Sequence, residues 1–367
     1  MRALSRRAPM NPQRVIDNRT PMSVSCVPLD DRHGREVMVI IMKMTYEVSP
    51  ASEIRAVLFG TPIRVNDVTA SEARSTMGAP LPSPRWPSIR YPSDLVDEKP
   101  GTDVVLVGTA YPPPGRAVTE QDVSIRVETG HRTLQKTVRV YGPRVWYDGT
   151  FGAVPGPAAV LGPTPLVYEL AFGGVDESAG SEMVIDFRNP AGTGAGKNRS
   201  RLIGTPAPAI EDPQQPLARS QPAPAGFGPI PAYWSPRRER AGTYDDVWRR
   251  ERAPLRPADF DPRHNCCAVP ELWSELPLAG DEPVEIHGAT PEGAWRFQLP
   301  RYEPVIEVVG TSASMRPPLD TFLIDADSGR VELTFRASIL LPRKTESLRG
   351  LRVRAANDLP EHIRMTS

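Results

Sequence analysis

Cysteine is scarce in this chain, and the three present do not form a disulfide framework. They are Cys26 and the adjacent pair Cys266 and Cys267. An odd count with one neighbouring pair fits a reducing compartment better than a secreted scaffold. A surplus of charge is missing too, since 44 basic side chains meet 44 acidic ones. Nucleic acid as a partner needs a basic excess and a polybasic membrane patch needs a local one, so neither is expected. Long apolar runs are absent: the longest, Val37 to Met42, is far short of a membrane span. No apolar stretch follows Arg2, Arg6 and Arg7, so no secretory signal is expected. These absences together predict a cytoplasmic protein without membrane insertion.

Catalytic signatures are equally thin. Histidine numbers five, and neither a Gly-x-Ser-x-Gly elbow nor a His-Glu-x-x-His helix is present. Gly192-Thr-Gly-Ala-Gly-Lys-Asn198 looks like a phosphate loop. However, Ala191 and Asn198 stand where that motif needs Gly and Ser or Thr, so a surface loop is expected. The thiols of His264-Asn-Cys-Cys267 point to opposite faces of an extended backbone and lack a second ligand pair at zinc spacing. They read as small core residues. No metal and no cofactor is expected.

Proline is abundant, 43 of 367 against roughly 5% in an average protein. It is kept out of helix interiors and central strands, which predicts a loop-rich fold of short elements. Strand patterns flank both ends. Glu36–Val48 is long and β-branched, as a strand buried on both faces should be, and Met22 to Leu29 faces it across a turn. Thr102 to Ala110, Asp122 to Glu128 and Thr133 to Tyr141 suggest an antiparallel meander. Strands return at 282–287, 294–299, 305–309, 321–325 and 331–340. The best helix is 244–252, capped by Thr243 or Asp245. The expected fold is mainly β, an antiparallel β-sandwich or distorted barrel with a long loop-rich central segment and little helix. Residues 1–20 read as a flexible arm and 343–367 as a tail. Between them 21–342 reads as one domain: β-rich over 21–150, loop-rich over 151–280 and β-rich again over 281–342.

That central segment joins rings to turn-formers, which suits ordered loops. The clusters are Tyr168-Glu-Leu-Ala-Phe172-Gly173-Gly174, Phe187-Arg-Asn189-Pro190, Ile210-Glu211-Asp212-Pro213 and Ala225-Gly226-Phe227-Gly228-Pro229. Downstream lie Tyr233-Trp234, Gly242-Thr-Tyr244-Asp-Asp-Val-Trp248 and Asp259-Phe260-Asp261. Most of these rings are expected to glue loops to the sheet. Trp234 and Trp248 are the expected exposed anchors, with Tyr244 and Phe227 beside them as partner-binding residues. Carboxylates near Glu211, Asp212 and Asp259 leave a carbohydrate-active hydrolase as an alternative, although Asp beside Gly or Pro ordinarily closes a turn.

The same motifs, with Ile89-Arg-Tyr-Pro-Ser-Asp-Leu-Val96, Lys99-Pro-Gly-Thr-Asp-Val104 and Arg296-Phe-Gln-Leu-Pro300, resemble the domain of unknown function 2169 family. The resemblance runs in order from about residue 20 to 342. It implies a bacterial protein whose family sits beside type VI secretion genes. Such proteins act as non-enzymatic adaptors or chaperones that load an effector onto the spike or its PAAR tip. A structural subunit of that apparatus is the remaining alternative. Adaptors need surface rather than a reaction centre, and the composition agrees with that.

Overall fold

A computed structural model describes residues 16–72, 85–150, 152–177, 183–196, 199–217, 222–341 and 350–356. Its centre is the strand Glu36–Val48, buried along nearly its whole length. Arg330–Leu340 pairs with it antiparallel over eleven positions, from Val37 opposite Leu340 to Glu47 opposite Arg330. Ser23–Asp30 closes the other side as a hairpin. The full order in this seven-stranded sheet is Trp273–Ser274, Thr102–Val107, Leu319–Asp325, Arg330–Leu340, Glu36–Val48 and Ser23–Asp30, with Ile54–Ala56 on the end of the central strand.

A second sheet of five strands runs Ile210–Glu211, Thr133–Tyr141, Glu120–Glu128, Pro283–His287 and Ala294–Gln298. The two sheets share a core. Met38, Ile40, Met42 and Met44 on one face of the central strand join Val123, Ile125, Val138, Val140, Val284 and Ile286. Alternate residues carry the contact because strand side chains alternate faces, and each fully buried aliphatic contributes about 1.5–3 kcal/mol. The architecture is a mainly β sandwich, and no sheet among the described residues closes into a barrel. No helix among the described residues is long and apolar enough to cross a membrane.

Three expectations need correction. Thr102–Val107 does not continue the meander; it lies in the other sheet, parallel to Leu319–Asp325. Its continuous apolar run suits a strand covered on both faces, whereas the alternating Glu120–Glu128 and Thr133–Tyr141 form a plain hairpin. The sandwich is therefore not wholly antiparallel. The arm and the tail also contain structure: Ile16–Asn18 pairs parallel with Leu351–Ala355, which pairs antiparallel with Pro304–Val308. Leu351 and Val353 are fully buried there, which explains why this short strand docks. Of the expected arm and tail, 1–15, 343–349 and 357–367 lie outside the described residues.

Candidate functional site

The loops of the central segment are held by their own motif residues. The Tyr168 hydroxyl donates to the Gly228 carbonyl at 3.0 Å. Gly226 lies so close to that ring that an added Cβ would sit 2.6 Å from it. Asn189 is fully buried and its amide donates to the carbonyls of Tyr168 and Phe172, at 2.8 and 3.0 Å. Gly173 and Gly174 have φ of 147° and 111°, where a side chain is strained, and they pass close to the backbone of Asn189 and Gly192. Phe172 packs with Trp146 in a small core of its own, and Pro190 is buried behind Asn189. Gly242 (φ 84°) turns the chain so that Asp259 accepts from the Thr243 amide and hydroxyl at 3.0 and 2.8 Å. Arg256 stacks on the Phe260 ring. These motif residues build loops.

The expected anchors divide. Trp234 and Phe227 are fully buried, so neither is a surface anchor. Trp234 meets Tyr168 edge-on at 5.5 Å, and Phe227 lies in the same main core. Trp248 is half-buried on the helix Asp246–Glu251, its indole N–H donating to the Leu255 carbonyl at 2.8 Å. Asp245 caps that helix through the Trp248 amide. Tyr244, packed edge-on against Trp248 at 4.7 Å, is 55% exposed, and Val247 is 50% exposed. The open apolar surface here is therefore Tyr244, just before the cap, and Val247 on the helix, with Trp248 packed against Tyr244.

The carboxylates named for a hydrolase are already bonded. Glu211 is buried, paired with Arg144, and accepts from the Leu217 amide. Asp259 holds Thr243, and Asp212 accepts from the Gln214 amide at 2.8 Å. The cysteines are buried and free. Burial pushes the Cys266 thiol up to about 12 and Cys267 higher still, so the nucleophilic thiolate is suppressed. Of the loop Gly192–Asn198, Thr193–Gly194 pairs parallel with Phe172–Gly173; Lys197 and Asn198 lie outside the described residues.

Two features escaped the sequence reading. The first is a charged layer on the outer face of the large sheet. Lys43 is fully buried and bonded to Asp94 at 2.6 Å, with Glu332 at 3.4 Å. Arg64 clamps Glu332 through two bonds of 2.6 Å. Lys99 reaches Asp103 at 2.7 Å, Arg336 reaches Asp320 at 2.6 Å, and Arg90 joins Asp325 and Asp327. Arg90 and Asp94 belong to the motif at 89–96 and pair with charges on distant strands, whereas Lys99 and Asp103 pair with each other within the motif at 99–104. The signal was present as charged or polar residues alternating within apolar strands, Lys43-x-Thr45 and Glu332-x-Thr334-x-Arg336. Buried charges of this kind require partners. The second feature is Phe59, 95% exposed beside half-exposed Leu58. Its loop is tied to Thr45 by the amides of Val57 and Thr61.

A groove runs beside the central loops. One end, about 430 Å³, is lined by Tyr168, Pro224, Ile230, Pro236 and Val269. The other end, about 380 Å³, opens between the strand Thr133–Tyr141 and the turn at Asp212–Gln214. Lys136, Asp212 and Glu271 line both ends.

Comparison with curated proteins and with solved structures gives no match. A family model, DUF2169, described as an uncharacterized protein conserved in bacteria, matches residues 33–336. That span includes the charged layer, the central loops and the groove, and the chain belongs to the DUF2169 family.

Proposed function

We propose that this protein is a non-enzymatic cytoplasmic adaptor that binds a type VI secretion effector and helps load it onto the spike or its PAAR tip. The type VI assignment rests on the family resemblance of the motifs. The observation that carries the adaptor reading is the contrast between committed charge and open apolar surface. Each buried charged side chain from Lys43 to Arg336 has a bonded partner. Tyr244, just before the helix cap, and Val247, in its first turn, by contrast stand open. Rigid aromatic residues in that position give interface area at low entropic cost.

The test is purification of the tagged chain from its native bacterium, with mass spectrometry of what accompanies it. An exported toxin or a spike-tip protein in near-equal amount is the expected result. Recovery of the protein alone, together with turnover of a glycoside panel, would replace the adaptor with the hydrolase alternative.

A further inference from the structure

The strand Thr133–Tyr141 has an open outer edge where its neighbour leaves it. The Tyr141 amide donates to the Ala209 carbonyl at 2.8 Å, so it points away from the strand Glu120–Glu128. Antiparallel pairing alternates, and Arg139, Thr137 and Gln135 therefore present their backbone groups to the same outer side. Arg139 lies opposite Glu211. Continuing that register puts Pro213 opposite Thr137, and proline has no N–H to give. The chain turns away there, with the Gln215 amide bonded to the Asp212 carbonyl at 2.9 Å. Among the described residues, no backbone group meets Gln135 or Thr137 on that side. The space beside them is the 380 Å³ end of the groove.

An unpaired edge is a template for another strand. Here it adjoins apolar walls, Tyr168, Ile230 and Val269 at the other end. Asp212 and Glu239, both on the groove wall, have no ion-pair partner among the described residues. Backbone donors and acceptors, an apolar trough and two unneutralised carboxylates together specify one kind of occupant. We propose that the groove binds an extended partner segment as an added strand on Gln135 and Thr137. Its alternate apolar side chains enter the trough and a basic side chain meets Asp212 or Glu239. This deepens the adaptor reading and rests on it: the segment belongs to the cargo. Pro213 then has a role, to stop one strand and leave the edge for another.

The probe is a fluorescent eight-residue peptide alternating valine and lysine, titrated against the full chain, with a twin N-methylated at alternate residues. Binding of the first, with at least about tenfold weaker binding of the twin, is expected, because methylation replaces the backbone donors that would face the strand edge and blocks close approach there. Gln135→Pro deletes the outward N–H and spares the bonds to Glu120–Glu128, so it should weaken binding by a similar factor while Gln135→Ala does not. Asp212→Asn should weaken it about threefold, and less at high salt. Because the methylated twin leaves the protein untouched, a misfolded proline variant does not remove the test. Equal binding of the two peptides, or none of either, overturns the proposal. So does concentration-dependent dimerisation abolished by Gln135→Pro, which would assign the edge to a second copy. If a native partner co-purifies undiminished with Gln135→Pro while the peptides fail to bind, the groove falls and the adaptor reading stands. If the peptides bind as expected and no partner co-purifies, the groove stands and the adaptor reading falls.

Discussion

Arg336 and Asp320 are both nearly inaccessible and meet at 2.6 Å on the outer face of the large sheet. Taking either partner away leaves a charge buried without compensation, whereas replacing both with apolar side chains removes the problem. Asp320→Ala should therefore lose about 3–5 kcal/mol of stability, and Asp320→Leu with Arg336→Met should recover most of it. Urea midpoints for the three proteins check this; an unchanged midpoint in Asp320→Ala would show that the pair is not buried in solution. The same layer sets the pH response. Burial alone would raise the Glu332 carboxyl, but hydrogen bonds from Arg64 and the charge of Lys43 outweigh it and leave it below the ordinary 4.5. Asp103 is likewise opposed by burial and lowered by Lys99 and the amides of Cys267 and Ala268. With folded values below unfolded ones, the unfolded chain takes up protons first as pH falls. Stability should be level above about pH 5 and drop as pH passes down through the folded values. Glu332→Gln should make that drop shallower in denaturation curves taken across the acid range.

Among the elements, the helix Asp246–Glu251 separates support from contact. Its six residues are too few to hold without the cap and the tertiary bond made by Trp248. Trp248→Ala removes the indole bond to Leu255 and the ring under Tyr244, and should cost about 2 kcal/mol of stability. Tyr244→Ala should leave the melting temperature close to wild type while weakening partner binding by about 2 kcal/mol or more. Charge reversal at the exposed Arg249 and Arg250 should cost less and fade with salt. Calorimetric titration of the co-purified partner, beside a melting curve for each variant, reads all three effects. A folded Tyr244→Ala protein with undiminished affinity would remove this helix from the interface.

At the scale of the whole molecule, the first and last described strands are tied together. Ile16–Asn18 and Leu351–Ala355 form adjacent strands, and Leu351 and Val353 enter the main core. Ending the chain at residue 349 would strip both and expose the edge of Pro304–Val308. The expected loss is about 4 kcal/mol or more, from cavity formation and exposed apolar surface. Denaturant midpoints of the truncated and full chains check it. A truncated chain as stable as the full one would show that the last strand merely rests on the surface.

The local pattern determined the long strands of this protein and the approximate position of the one α-helix among the described residues. Glu36–Val48, Thr133–Tyr141 and Arg330–Leu340 were legible because alternation and β-branching act within each segment, and the 36–48 and 133–141 limits match the structure. Of the two expected caps, Thr243 and Asp245, the structure uses Asp245, and the helix starts at Asp246 rather than at 244. Sheet membership was not legible: Thr102–Val107 pairs with a strand more than 200 residues away, and no nearby residue records that choice. Nor was the division of the aromatics. Tyr168, from a distant loop, packs edge-on against the fully buried Trp234, while Tyr244 stays exposed, and irregular segments carry no periodicity that tells inside from outside. The open edge at Gln135 and Thr137 arises from where another loop meets Pro213 and turns away. Local sequence sets what a segment prefers to be, but burial, charge pairing and free edges depend on which distant segment packs against it, and only the tertiary structure decides that.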